Sequence, residues 1–119
     1  LTNEDLMTHK YEMGEKLYVI VRNDLSPGMQ IAQAIHAKDK FSMEHPAINN
    51  AWYEQSNYIC VLQVADEDAL YTIKNRALSL QIRCVSFSES DRNDELTAIA
   101  IEPGSITKEL CKNLKLALH

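Results

Sequence analysis

The stretch from Lys16 to Ala37 constrains this chain most. Within Lys16–Val21, the side chains of Leu17, Val19 and Val21 alternate with those of Tyr18 and Ile20, so both faces of the predicted strand are apolar. Such a strand belongs in a sheet covered on both sides. Arg22, Asn23 and Asp24 then leave the core together. Ser26-Pro27-Gly28 starts a helix, with Ser26 as the cap and Pro27 where a missing N–H costs nothing. The helix is predicted from about Gly28 to Met43, and Pro46 ends it. Unpaired N–H groups at such a junction attract ligands, so an active site is expected here.

At about 100° per residue, Ile31, Ala34, Ile35 and Phe41 form the expected core stripe of this helix. Met29, Gln33, His36 and Lys40 lie on roughly the opposite side, so Asp24, Gln33 and His36 are expected to face one cleft. Ala47–Gln55 reads as a short helix in which Trp52 and Tyr53 make a packing lid. Tyr58–Val64 is a second strand, and Asp66 caps a helix with Leu70, Ile73, Ala77 and Leu78 on its buried face. Ile82–Phe87 and Leu96–Ile101 are predicted as two further strands. Between them lies Ser88–Glu95, a polar loop with four acids and one Arg, and two strands joined this way should pair antiparallel. Ser105 is the expected cap of a last helix that buries Ile106, Leu110, Leu114, Ala117 and Leu118 and exposes Lys108, Lys112 and Lys115. Upstream, Thr2–Met13 is a helix candidate, so 1–15 is read as a helical appendage and 16–119 as one domain. The element order predicts an α/β fold with a four-stranded mixed sheet covered by helices on both faces.

Composition narrows the function classes. The 119 residues are enough for one core, and the formal net charge of −5 argues against non-specific nucleic-acid binding while leaving room for a local basic patch. No apolar run is long enough to span a membrane. Cys60, Cys84 and Cys111 form no Cys-x-x-Cys pair, and the first residues lack a secretory pattern, so a cytoplasmic location is expected. The four histidines have no metal-ligand spacing, and the glycine-rich phosphate and nucleophile-elbow motifs are absent.

Val21-Arg22-Asn23-Asp24-Leu25, then Gly28, Ala32-Gln33 and His36-Ala37, resembles the type-II peptidyl-tRNA hydrolases. Tyr58–Val64 followed by Ala65-Asp66-Glu67 is similar to that family's second strand and the acidic start of its next helix. Leu96–Pro103 is similar to its last strand. The resemblance implies a three-layer α/β/α fold, often a homodimer. It also implies cleavage of the ester between a peptide and the 3′ end of tRNA, with no metal or other cofactor. Thr97 matches a Thr that the family places near its site. Two departures stand out. The family has a Lys after the glycine of its helix start, where this chain has Met29. The family's functional Asp-Ala-Gly-Arg-Thr segment has no match near Val85–Asp91, and Asp91 and Asp94 are the acids available to replace its Asp.

Ester hydrolysis needs an oriented water, a base, and donors for the oxyanion. The sequence offers Asp24, His36, Gln33 and Thr97 as catalytic candidates. His36 would act as base and Asp24 would orient it, with Gln33 or backbone N–H groups near Gly28 as donors. Arg22, Asn23, Lys38 and Lys40 are candidates for binding tRNA, as is the lysine face of the last helix. Two other readings stay open. Met29 and the acidic balance favour a non-catalytic relative that binds RNA or protein, and fold alone leaves room for another small ester or amide substrate.

Overall fold

The computed structural model describes residues 9–119. Of the helix expected over 2–13, positions 2–8 lie outside the described residues. His9–Met13 is not helical; it runs as an irregular strap to a turn where Gly14 takes a φ of 90°. Gln55 ties the strap down, its Oε1 accepting from Tyr11 N–H at 2.6 Å and its Nε2 donating to His9 O at 2.9 Å.

Strand β1 (Lys16–Arg22) is followed by α1 (Pro27–Glu44), α2 (Pro46–Gln55), β2 (Tyr58–Val64) and α3 (Glu67–Ser79). Strands β3 (Cys84–Glu89) and β4 (Glu95–Ile101) flank a 3₁₀ turn over Ser90–Arg92, and α4 (Ser105–Cys111) and β5 (Lys115–Leu116) close the chain. The fold is a mixed α/β one with a single sheet in the order β3-β4-β1-β2-β5. β1 and β2 run parallel, whereas β4 is antiparallel to both β1 and β3, as the short connection between β3 and β4 requires. No described helix is long and apolar enough to cross a membrane.

The alternation read in β1 sorts into two core clusters. Leu17, Val19 and Val21 pack with Ala37 and Phe41 of α1, Ile48 and Trp52 of α2, and Val85, Ala98 and Ala100. Tyr18 and Ile20 pack with Leu70, Ile73 and Ala77 of α3 and Leu110 and Cys111 of α4. Trp52 is buried and its indole N–H donates to Tyr58 O at 2.7 Å, while Tyr53 is exposed.

Several sequence expectations are corrected. The sheet has five strands rather than four. The last helix stops at Cys111, and a turn closed by Leu114 N–H to Cys111 O redirects the chain so that β5 pairs with β2 through Leu62–Leu116 and Gln63–Lys115. Gly104 caps that helix in place of Ser105, at a φ of 149°, and Ile106 and Leu118 are exposed. Helix α1 is rolled about its axis relative to the expected stripe. It buries Gln30, Gln33, Ala37 and Phe41, while Ile31 and Ile35 are 51% and 57% exposed. Gln33 can go inside because both ends of its amide find partners, as described below, whereas Gln30 pairs only its Nε2, on Leu25 O at 2.7 Å, and its buried Oε1 has no partner among the described residues. Leu78 of α3 is likewise exposed.

Candidate active site

One flank of α1 faces β3, the edge strand, and three α1 side chains meet it in succession. Gln33 Nε2 donates to Glu89 Oε2 at 2.9 Å. His36, one turn on, lies nearly parallel to Phe87, with ring centroids 4.7 Å apart and planes at 15°. Lys40 Nζ donates to Ser86 O at 2.9 Å. Spacings of three and seven residues on one helix face thus follow the edge strand from its C-terminal end backwards.

Behind Gln33 stands Thr97, whose hydroxyl oxygen lies 2.5 Å from Gln33 Oε1 and 3.2 Å from Phe87 O. Strict alternation in β4 would turn Thr97 away from α1. The pairing shows why it does not: Phe87 sits opposite Ala98 and Ser88 opposite Leu96, leaving Thr97 as the extra residue of a bulge. Leu96 consequently packs with α3 while Ala98 packs with α1. Thr97 and Gln33 are 0% and 2% exposed, so neither can touch a substrate. Their effect is transmitted. The Thr97 hydroxyl occupies the amide oxygen, which fixes the amide NH₂ towards Glu89. That donor, with Asp91 N–H and the nearby His36, holds the Glu89 carboxyl below the usual carboxylate range.

A second cluster lies alongside on β1 and β4. Arg22 is buried at the end of β1, where its Nε and Nη2 bind Asp24 Oδ1 and Oδ2 at 3.0 and 2.8 Å. Its Nη1 reaches Glu95 Oε1 at 2.8 Å and Leu96 O at 3.1 Å. The Arg22 guanidinium lowers the pKa of both Asp24 and Glu95, and its own is raised, chiefly by the bonds to Asp24. Glu67 completes the surroundings, accepting Leu96 N–H at 2.8 Å, and Arg92 Nη2 lies 3.4 Å from Glu95. Among the described residues no group of His, Cys, Asp and Glu is arranged to hold a metal ion.

The sequence profile of peptidyl-tRNA hydrolase PTH2 matches residues 15–117, nearly the whole chain. The chain belongs to the type-II peptidyl-tRNA hydrolase family. No curated protein matches it. Among solved structures, it is similar to a protein of unknown function from Agrobacterium tumefaciens strain C58, with 19% identity and a TM-score of 0.65 over 85% of this chain and 96% of that one. At that identity the likeness concerns the fold.

For a member of this family, the candidate residues are distributed unevenly. Gln33 and Thr97 are brought into one network. Asp24 belongs to the neighbouring Arg22 cluster and has no hydrogen bond to His36, which stacks on Phe87 instead. Arg22 is consumed by two carboxylates and a carbonyl. Asn23 is exposed and gives its backbone N–H to Val64 O. Lys38 is turned inward, its ammonium 2.7 Å from both Ser42 Oγ and Asn49 Oδ1 and 5.0 Å from the Trp52 ring, and burial lowers its pKa. Lys40 keeps 47% of its side chain exposed. The sequence pointed to Asp91 and Asp94 as replacement acids, whereas the acid bonded to Gln33 is Glu89. Glu89 was hidden because β3 runs two residues further than predicted, which makes a loop residue into the last residue of a strand. Its signal was parity: Val85, Phe87 and Glu89 share a strand face.

Proposed function

We propose that the protein hydrolyses the ester between peptide and tRNA, with Glu89 as the carboxylate that orients and deprotonates the attacking water. The observation that carries this reading is the chain Thr97–Gln33–Glu89, in which two buried polar side chains serve to hold one accessible carboxylate. Glu89 stays ionised at neutral pH and so is available to accept a proton, at some loss of base strength. Water adds to the carbonyl carbon as its proton passes to Glu89. Collapse of the tetrahedral adduct expels the ribose 3′-oxygen, which takes that proton. Gln33 and Thr97 are positioning residues, and Asp24, clamped by Arg22, sets the charge beside them.

The two core clusters, one containing α1 and α2 and the other α3 and α4, support a three-layer α/β/α arrangement. A homodimer has a physical basis in the exposed Ile31 and Ile35 on the far flank of α1 and the exposed Leu118 near the end of the chain, which together line an apolar cavity of about 240 Å³. A role in translation fits a cytoplasmic location.

A second reading is favoured by Met29. It stands one residue beyond Gly28 and supplies no cation there, and Asp24, Glu89, Asp91, Asp94 and Glu95 crowd the same end of the sheet. That charge would repel RNA and suits a non-catalytic module with a protein partner. Incubation of the pure protein with peptidyl-tRNA separates the two. Release of free tRNA supports the hydrolase, and none at micromolar enzyme supports the binding module.

A further inference from the structure

We infer that His36 is a stacking platform for the 3′-terminal base of the RNA rather than the proton carrier of the reaction. The inference rests on the peptidyl-tRNA reading and specifies how that substrate is held. His36 is an exposed residue on the middle of a long helix, a position where a side chain ordinarily samples several rotamers. Here one face of its imidazole is covered by Phe87 at 4.7 Å and 15°, which fixes the ring plane while the residue as a whole stays exposed. A flat, oriented ring on an exposed residue is what a nucleobase stacks on, and such stacking accepts any base because every base has a π-face.

The neighbours fit the remainder of a nucleotide. Lys40 follows one turn along the same flank. Its ammonium donates to Ser86 O and lies 3.8 Å from the exposed Glu44 carboxylate, yet is half exposed, so a phosphate next to a base seated on His36 can displace that loose pairing. In the other direction, one turn back, Gln33 holds Glu89, which shares the strand face of Phe87. A base on the platform therefore brings its ribose, and the ester it carries, towards the carboxylate. No carboxylate is hydrogen-bonded to His36 among the described residues, whereas an imidazole base is usually oriented by such a partner.

The test is a substitution series at position 36, read on the trinucleotide cytidylyl-cytidylyl-adenosine by calorimetry and on peptidyl-tRNA by steady-state kinetics. His36→Ala is expected to weaken trinucleotide binding and raise KM by about tenfold or more. His36→Phe is expected to restore both and to leave kcat within a few-fold of wild type. Loss of kcat in His36→Phe with KM unchanged would overturn the proposal in favour of a proton carrier. So would trinucleotide binding that is indifferent to His36→Ala. Should wild type bind the trinucleotide through His36 but fail to hydrolyse peptidyl-tRNA, the hydrolase reading falls and the platform stands. Hydrolysis without dependence on an aromatic ring at 36 gives the converse. If wild type neither binds nor hydrolyses, both fall.

Discussion

Thr97→Val removes one hydroxyl from a fully buried position while keeping the side chain's shape, so its cost can be worked from the contacts. Gln33 Oε1 loses the hydroxyl at 2.5 Å and is left without a partner in a site water cannot enter. An unsatisfied buried acceptor costs about 1–3 kcal/mol. Gln33→Leu is milder, because the Thr97 hydroxyl then turns to Phe87 O at 3.2 Å and Glu89 returns to solvent. We expect a cost of about 1 kcal/mol there. In the double variant the stranded Gln33 acceptor is gone, so its stability should nearly equal that of Gln33→Leu alone, a coupling of about 1–3 kcal/mol. Urea unfolding of the four proteins measures this. Thr97→Val should also lower the Tm by roughly 4–10 °C for a domain of this size. Losses that add to within about 0.5 kcal/mol would refute the relay from Thr97 through Gln33.

Three further outcomes follow from the geometry. Arg22→Met should raise the pKa of Asp24 and Glu95 towards ordinary carboxylate values in an NMR titration; because their folded pKa values are lowered, the stability they contribute is full above the unfolded value of about 4 and is lost as pH falls through the folded one. The variant's stability should then vary less with pH in that acid range than wild type's. Ile31→Asp with Ile35→Asp should leave the circular dichroism spectrum unchanged, since both residues are more than half exposed, yet sediment as a monomer where the homodimer proposed for wild type would sediment at twice that mass. Met29→Lys, which supplies a cation at the start of α1, should raise kcat/KM for peptidyl-tRNA, and no change would mean that position 29 lies outside the site.

The frame of the fold was legible because its signals are local. The two-faced apolar pattern of Leu17–Val21, the Ser26-Pro27 helix start and the Asp66 cap each depend on a few adjacent residues, and all three stand as read. The roll of α1 was not legible, because a periodicity argument scores Ile31 and Ile35 as core and Gln30 and Gln33 as surface. The amides of Gln30 and Gln33 are buried only because Leu25 O, Thr97 and Glu89 meet them, and two of those partners lie more than 50 positions away. The bulge at Thr97 had the same long-range origin, since it exists only in the register between β3 and β4. In the site, Gln33 and Thr97 were visible through the family resemblance. Glu89 was lost with the strand boundary, and the stack of His36 on Phe87 needed the third dimension.

If Glu89 activates water on peptidyl-tRNA, wild type and Glu89→Gln should differ in tRNA release under single-turnover conditions. Glutamine keeps the shape and a hydrogen bond to Gln33 but cannot accept the proton. Wild type should release tRNA and the variant should lose about 10²–10⁴-fold of that rate, with tRNA binding retained. Absence of release by wild type, or undiminished release by Glu89→Gln, would contradict that role for Glu89.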